Sequence, residues 1–396
     1  MLTALLVIIY ISFISLGLPD TLLGAAWPVM SGDLGMSVSY AGVLSMVTAG
    51  GTIISSLLSA KAIKRFGTGL VTAFSVMLTA VALSGFALAP GFWWLCVLGI
   101  PLGLGAGSVD AGLNNFVALH YKAKHMNWLH CFWGVGATVG PVVMSLFLAR
   151  QSGWRWGFGT ISIAQFLLVI ALFASLPLWK KVGEKAEGEQ AHKHETLKLR
   201  DSLKITGAKS AMLCFLCYCA VEATTGLWGS TFLVKVKGLP ADTAAQWIAL
   251  YFLGITVGRF IAGFVSMKLS NKTLIRIGLG IIGVGILLII LSFGPVFLQM
   301  GFVLIGLGCA PIFPSMLHET PSRFGKSVSQ SLMGIQMASA YVGATFMPPL
   351  FGVIAENISL SLFPYFLLVM WLLMAAMAEN ANRIEPVKEI SQTSSQ

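Results

Sequence analysis

Val135-Gly-Ala-Thr-Val-Gly-Pro141 returns as Val342-Gly-Ala-Thr-Phe-Met-Pro348, about half a chain later, and both copies lie in long apolar stretches that carry Gly and Pro. Gly103-Leu104-Gly105 reappears at a similar offset as Gly306-Leu307-Gly308, in the apolar segment before each copy. One membrane unit written twice in the same order predicts two equivalent halves. Parallel duplication of helical halves is an organisation used by secondary transporters.

Composition agrees. The chain is 56% hydrophobic and 10% charged over 396 residues, with a mean hydropathy of +0.84, more apolar surface than a soluble protein of this size can hide. Cutting at charges and Gly/Pro breaks leaves apolar runs near 3–30, 38–60, 68–88, 92–119, 127–149, 155–179, 210–234, 243–266, 273–293, 296–318, 328–356 and 360–380. Each has the roughly 20 residues needed to cross a hydrocarbon layer about 30 Å thick. Backbone N–H and C=O groups in lipid must find partners within their own segment, so these runs are predicted to be helices. The expected fold is an all-α integral membrane protein, twelve transmembrane helices in two pseudo-symmetric six-helix bundles. The expected units are a first bundle at 1–179, a cytoplasmic linker at 180–209, a second bundle at 210–382 and a cytoplasmic tail at 383–396.

A net charge of +10 invites a nucleic-acid reading, but the basic residues follow loop sidedness instead. Lys61, Lys64, Arg65, Lys122, Lys124, the 180–209 run, Lys268, Lys272, Arg276, Arg323, Lys326, Arg383 and Lys388 fall on one side. The other side holds Arg150, Arg155, Lys235 and Lys237. By the positive-inside rule the richer side is cytoplasmic, with both termini there, in a multi-pass protein of the cell membrane. Residues 1–30 lack a basic start and run into Pro19, Asp20 and Pro28, so they read as a retained first helix rather than a signal peptide. The mixed charges of 180–209 suit a solvated linker, and His192-x-His194 within it is a weak metal motif.

Other patterns carry less than their letters suggest. Six cysteines (96, 131, 214, 217, 219 and 309) sit inside predicted helices, which implies neither disulfides nor an oxidising compartment. Cys214-x-x-Cys217 has no partner pair at ligand spacing, so no metal is expected. Gly278-x-Gly280-x-x-Gly283 matches a dinucleotide fingerprint but lies in an apolar helix with no strand before it. Gly103, Gly105 and Gly107 fit close helix approach better than a phosphate loop. No hydrolytic constellation is present, and the expectation is a non-enzyme without cofactors.

The chemistry rests on ionisable residues at membrane depth: Asp20, Asp110, Glu222 and Arg259. At a helix centre each is costly by about 2.5–3.5 kcal/mol on insertion scales, so they should face the interior. At 1.5 Å per residue Asp110 lies about 18 Å from Lys122, and Glu222 about 20 Å from Lys209. Helical spacing puts Gly103, Gly107, Asp110 and Asn114 on one stripe, expected to line a water-filled cavity. Asp20, Gly24 and Trp27 share a face, as do Tyr218, Glu222, Thr225 and Gly229. Asp20 stands four before Gly24 as Glu222 stands four before Gly226, one acid from the first helix of each half. A carboxylate in a cavity of low dielectric takes up a proton more readily than in water, which makes these acids proton carriers; the alternative for each is a structural interhelical hydrogen bond. Arg259 reads as a structural ion pair or gate latch, with Glu319 or another acid as partner.

Gly17-Leu-Pro-Asp20, Val109-Asp110-Ala-Gly-Leu-Asn114-Asn115-Phe116, Glu222-Ala-Thr-Thr-Gly226-Leu-Trp228 and Gly258-Arg259-Phe260-Ile-Ala-Gly263 resemble elements of the major facilitator superfamily, and within it the fucose-permease-like sugar/proton symporters. The resemblance covers nearly the whole chain. It implies two six-helix bundles rocking about a central site, with Asp20 and Asp110 handling the proton and sugar hydroxyls. One position departs: Lys64 stands where the superfamily's loop signature places an acid. Asn114, Asn115, His130, Trp133, Trp228, Gln330, Gln336 and Tyr341 lie in the helices that would line the cavity and are candidate sugar contacts, each aromatic having packing as its alternative. The expected activity is proton-coupled uptake of a sugar or similar small polar solute, with solute, proton and membrane lipid as partners and a monomer as the working unit. Gly136-x-x-x-Gly140-Pro141 carries part of an antiporter signature, so proton-driven efflux of amphipathic compounds is the alternative. A non-transporting sensor on the same fold is the third.

Overall fold

The computed structural model describes residues 2–121, 123–150, 153–183 and 204–383, and the described residues contain helices and turns without strands. The first half holds α1 (Leu2–Asp20), α2 (Leu22–Asp33), α3 (Tyr40–Phe66), α4 (Thr68–Leu88), α5 (Phe92–His120), α6 (Ala123–Leu148) and α7 (Gly153–Gly183). The second holds α8 (Ala208–Lys235), α9 (Ala241–Val265), α10 (Asn271–Leu291), α11 (Pro295–Phe324), α12 (Lys326–Ile354) and α13 (Phe363–Asn382). His192 and His194 lie outside the described residues.

Among the described residues, eleven apolar helical segments are long enough to cross a bilayer. The last, Ser331–Asn382 at 52 residues, is too long for one pass and reverses through a π turn and a 3-10 turn at 355–362. Contacts along α8 demonstrate the reversal. Leu216 meets Gly343 and Trp228 meets Gly352, so α12 runs with α8. Ser210 meets Asn380 and Phe232 meets Phe363, so α13 runs against it. The described residues therefore make twelve passes, with α1 and α2 sharing the first.

The α1–α2 break has a local cause. Pro19 has no N–H to give Ser15, four residues back, and a bare carbonyl in lipid costs several kcal/mol, roughly. The Gln165 amide, buried on α7, supplies the missing donor to the Ser15 carbonyl at 2.6 Å. The first membrane helix is thereby interrupted at Asp20 without an orphaned acceptor there.

The sequence repeat is also a packing repeat. A Cβ on Gly103 would strike the Thr48 carbonyl, and one on Gly306 the Tyr251 carbonyl. Likewise Gly105 lies against Ser75 as Gly308 lies against Gly278. Each of these residues stands 203 positions from its counterpart. Gly136 on Ile14 and Gly343 on Leu216 extend the same relation to α6 on α1 and α12 on α8. Without a hydrophobic drive between helices in lipid, backbone approach at glycines supplies the dispersion contact that holds each bundle together.

The halves meet through α2 with α8, α3 with α12, and α6 with α9. At the end bearing Trp27 and Trp228 they are sealed. Gly24 and Gly226, counterparts in the repeat, touch backbone to backbone, and Gly42 lies against Pro349. One continuous core there takes in Trp27, Met30 and Ala41 with Trp228, Phe351 and Phe363. At the opposite end the core divides: Leu5, Phe13, Phe116 and Trp179 form a cluster of the first half alone, and Ala208, Ala211, Phe324 and Leu332 one of the second.

Candidate functional site

Where the joint core gives way, charged and aromatic side chains converge from both halves. Asp20 closes α1 and is exposed, near the middle of the span Ala4–Asp33. Its Oδ2 accepts a hydrogen bond from the Trp133 indole N–H of α6 at 2.9 Å. Asp110 of α5 is near enough for its charge to act on Asp20. The Asn114 amide, one turn further along α5, donates to Asp110 Oδ1 and to its backbone carbonyl, both at 2.9 Å. Tyr341 of α12 approaches Ser56 of α3 and Asp110.

From the second half, Arg259 on α9 lays its guanidinium 5.2 Å from the centroid of the Trp133 ring, within cation–π range. Its other partner is Glu222 of α8, at 3.8 Å, with side chains 17% and 18% exposed. That distance is an ion pair without a hydrogen bond, and the Tyr218 hydroxyl of α8 also lies against the guanidinium. The Tyr251 hydroxyl donates to the Glu222 carbonyl at 3.0 Å. His130 sits one turn before Trp133, edge-on to Phe13 at 6.0 Å and within range of the Arg259 charge.

Asp20, Asp110, Asn114, His130, Trp133, Glu222, Arg259 and Tyr341 thus gather in one region. Asn115 is exposed beside them, one residue on from Asn114 and turned away around the helix. Other expectations are corrected. Trp228 is fully buried, gives its N–H to the Pro348 carbonyl at 2.8 Å and packs on Phe351, so it belongs to the seal. Gln336 is 2% exposed and accepts from the Thr320 hydroxyl at 2.9 Å inside the second half. Glu319 is no partner of Arg259; it accepts from Asn271 at 3.2 Å and faces Arg323 at 3.9 Å. The Gln330 side chain lies outside the described residues.

The three helical stripes behave differently from expectation. Gly103 and Gly107 are buried against α3 backbone, so that stripe is a packing seam leading to a carboxylate, not a cavity wall. Gly24 and Trp27 turn into the seal while Asp20, across the helix break, does not. Tyr218, Thr225 and Gly229 are buried. A face of small residues attracts another helix more strongly than it attracts water.

Sequence reading missed Gln165, Tyr251, and the sealed-end pair in which the Trp154 indole donates to Asp33 at 2.8 Å. A polar residue in an apolar run was a signal for Gln165; the pairing of Trp154 with Asp33 had none. Among the described residues no cluster of His, Cys, Asp and Glu has metal-holding geometry, and all six cysteines are free.

The comparisons with known proteins accord with this architecture. The family model described as Major Facilitator Superfamily matches residues 9–246 and 211–390. The chain is 24% identical to Bypass of stop codon protein 6 of Saccharomyces cerevisiae, over 92% of this chain and 79% of that one. It is 22% identical to the glucose/mannose transporter GlcP of Bacillus subtilis, over 87% and 86%. Among solved structures, a D-xylose-proton symporter superposes with a TM-score of 0.73 at 15% identity, over 97% and 98% of the two chains. A bacterial homologue of the human lysosomal transporter Spinster gives 0.71 at 12%, over 96% and 97%. A duplicated, twelve-pass helical fold with glycine-packed halves, matched by the family model along nearly its whole length, identifies the chain as a member of the major facilitator superfamily, a multi-pass membrane transporter and not an enzyme.

Proposed function

We propose that this transporter carries a sugar or similar small polar solute into the cell together with a proton, by alternating access. One observation carries the reading: an exposed carboxylate, Asp20, at the middle of its membrane span, with a second acid near it, beside the place where the joint core divides. With Asp20 and Asp110 ionised, three carboxylates face one guanidinium there. Such a lining favours a neutral, hydroxyl-rich solute over an anion and makes closure around an unprotonated site costly. A proton on Asp20 or Asp110 removes that cost, so the loaded carrier closes and the empty, charged one is held back.

The divided end is the cytoplasmic one in this proposal, since Lys61, Lys64 and Arg65 crowd the last turns of α3 there and the positive-inside rule assigns such residues to the cytoplasm. The conformation is then open inward. Trp133, Asn115, His130 and Tyr341 remain the candidate solute contacts, and the first and second bundles the moving units. Gly136 and Gly140 pack α6 onto α1 and Gly343 makes the matching contact in the other half, a packing role that serves uptake and proton-driven efflux alike, so efflux of amphipathic compounds stays the second reading and the dye arm of the test addresses it. Names of relatives lend support to sugars: a glucose/mannose transporter and a hexuronate transporter of Bacillus subtilis. The test is purified protein in liposomes under an imposed pH gradient, with sugars and cationic dyes added separately. Proton movement driven by a neutral sugar is expected; movement driven by dyes alone would overturn the proposal.

A further inference from the structure

We propose that Trp133 is the positioning residue that links the charge on Asp20 to the seam between the two halves. This rests on the proton-coupled reading above and adds a specific part to it. Trp133 is joined to the proton site at one edge and to the second half at its face. Its indole N–H donates to Asp20 Oδ2 at 2.9 Å, while Arg259 of α9 stands 5.2 Å from the ring centroid. Arg259 in turn stands beside Glu222 at 3.8 Å and the Tyr218 hydroxyl of α8. Trp133 also packs against both the core that joins the halves and the core confined to the first half. It therefore stands at the boundary between what is sealed and what is divided. The neighbouring Gly134 brings α6 so close to α9 that a Cβ there would strike the Thr256 hydroxyl, one turn before Arg259, so the ring stands beside a close approach of the two helices.

The physical sequence is short. An ionised Asp20 accepts a charge-assisted hydrogen bond, about twice as strong as a neutral one, and so sets the plane of the indole that Arg259 covers. When Asp20 takes a proton the bond weakens, the ring is free to turn, and Arg259 loses its aromatic face. The tie across the α6–α9 seam is released by the event that neutralises the site. Other charged and titratable groups around Asp20 and the ring are Asp110 on α5, His130 and Cys131 on α6, Tyr341 on α12, Arg259 on α9, and Glu222 and Tyr218 on α8; Tyr341 reaches Asp110 from the second half, whereas Trp133 bonds Asp20 itself.

The test is uptake by wild type, W133F, D20N and D20N/W133F in liposomes over a range of external pH, each variant first checked for monodisperse elution and helicity. W133F keeps a ring for Arg259 but removes the N–H that favours ionised Asp20. A hydrogen bond to a charged group contributes about one to two units of proton affinity, so the pH midpoint of uptake is expected to rise by about one unit. D20N/W133F should show the same pH profile as D20N, whatever the change in its absolute rate, because the indole then has no charge to read. A midpoint in W133F equal to wild type, or a pH profile of the double variant that differs from D20N, overturns the role of Trp133 while leaving proton coupling intact. Uptake by wild type that ignores pH overturns both. Should W133F fail to fold, E222Q/R259Q removes the cation from the ring face without leaving an unpaired charge. It should lower the protons moved per solute, because closure then no longer waits for a proton to release the tie; unchanged stoichiometry overturns the proposal.

Discussion

At the scale of single residues, Asp20 and Asp110 carry the transport proposal and their variants separate coupling from binding. Asp20→Asn should abolish proton-driven accumulation and flatten the pH dependence of uptake, while exchange of labelled for unlabelled solute persists in part. Wild-type uptake should rise as external pH falls, since the proton enters with the solute. Accumulation in D20N at the wild-type level would remove Asp20 from the coupling step. Asp110→Asn should also lose accumulation, and because Asn114 donates to Asp110, Asn114→Leu should weaken solute binding without eliminating the gradient dependence. Glu222→Gln leaves Arg259 without its counter-charge, and thermal stability should drop by more than in E222Q/R259Q, where both charges are gone; equal losses would mean that the pair does not interact. These ionisable residues were legible because a charge in an apolar run has few explanations. Their partners were not. Trp133 lies 113 residues from Asp20, and no spacing rule relates them.

At the scale of helices, glycine contacts decide how closely elements approach. Gly103→Ala and Gly306→Ala should each destabilise the protein by about 1–3 kcal/mol, because the added methyl meets backbone and not a yielding side chain. The two losses should be similar, as the sites are counterparts. Gly263→Ala is the control, having open space around it; it should be neutral or slightly stabilising in detergent melts. The repeated Gly-Leu-Gly was visible in the sequence, and so was the tendency of small residues to seat helices. Which face meets which helix was not. The stripe from Gly103 to Asp110 was expected at a cavity, whereas its glycines proved to be buried in the α3–α5 seam.

For the whole molecule, the seal at the Trp27 and Trp228 end is the part that must open if the site is to reach the other side. Gly24 and Gly226 touch there with no side chain between them. Gly24→Leu should hold this end apart and stop transport, and alkylation from outside of a cysteine placed by Ser39→Cys should become faster than in the parent carrying S39C alone. Transport at the parent rate would show that the contact need not form. The same experiment reports orientation, since an impermeant reagent reaches Ser39→Cys only if the sealed end faces outward.

Composition and repeat were sufficient for the helical class, the twelve passes and the equivalence of the halves, because lipid leaves a backbone so few ways to satisfy its polar groups and duplication preserves the packing code. The pairing of Asp20 with Trp133, the seat of Arg259 on that ring, and the withdrawal of Trp228 and Gln336 into packed cores depended on the tertiary structure. Those contacts join helices far apart in the chain, and their energies arise only when whole bundles have docked.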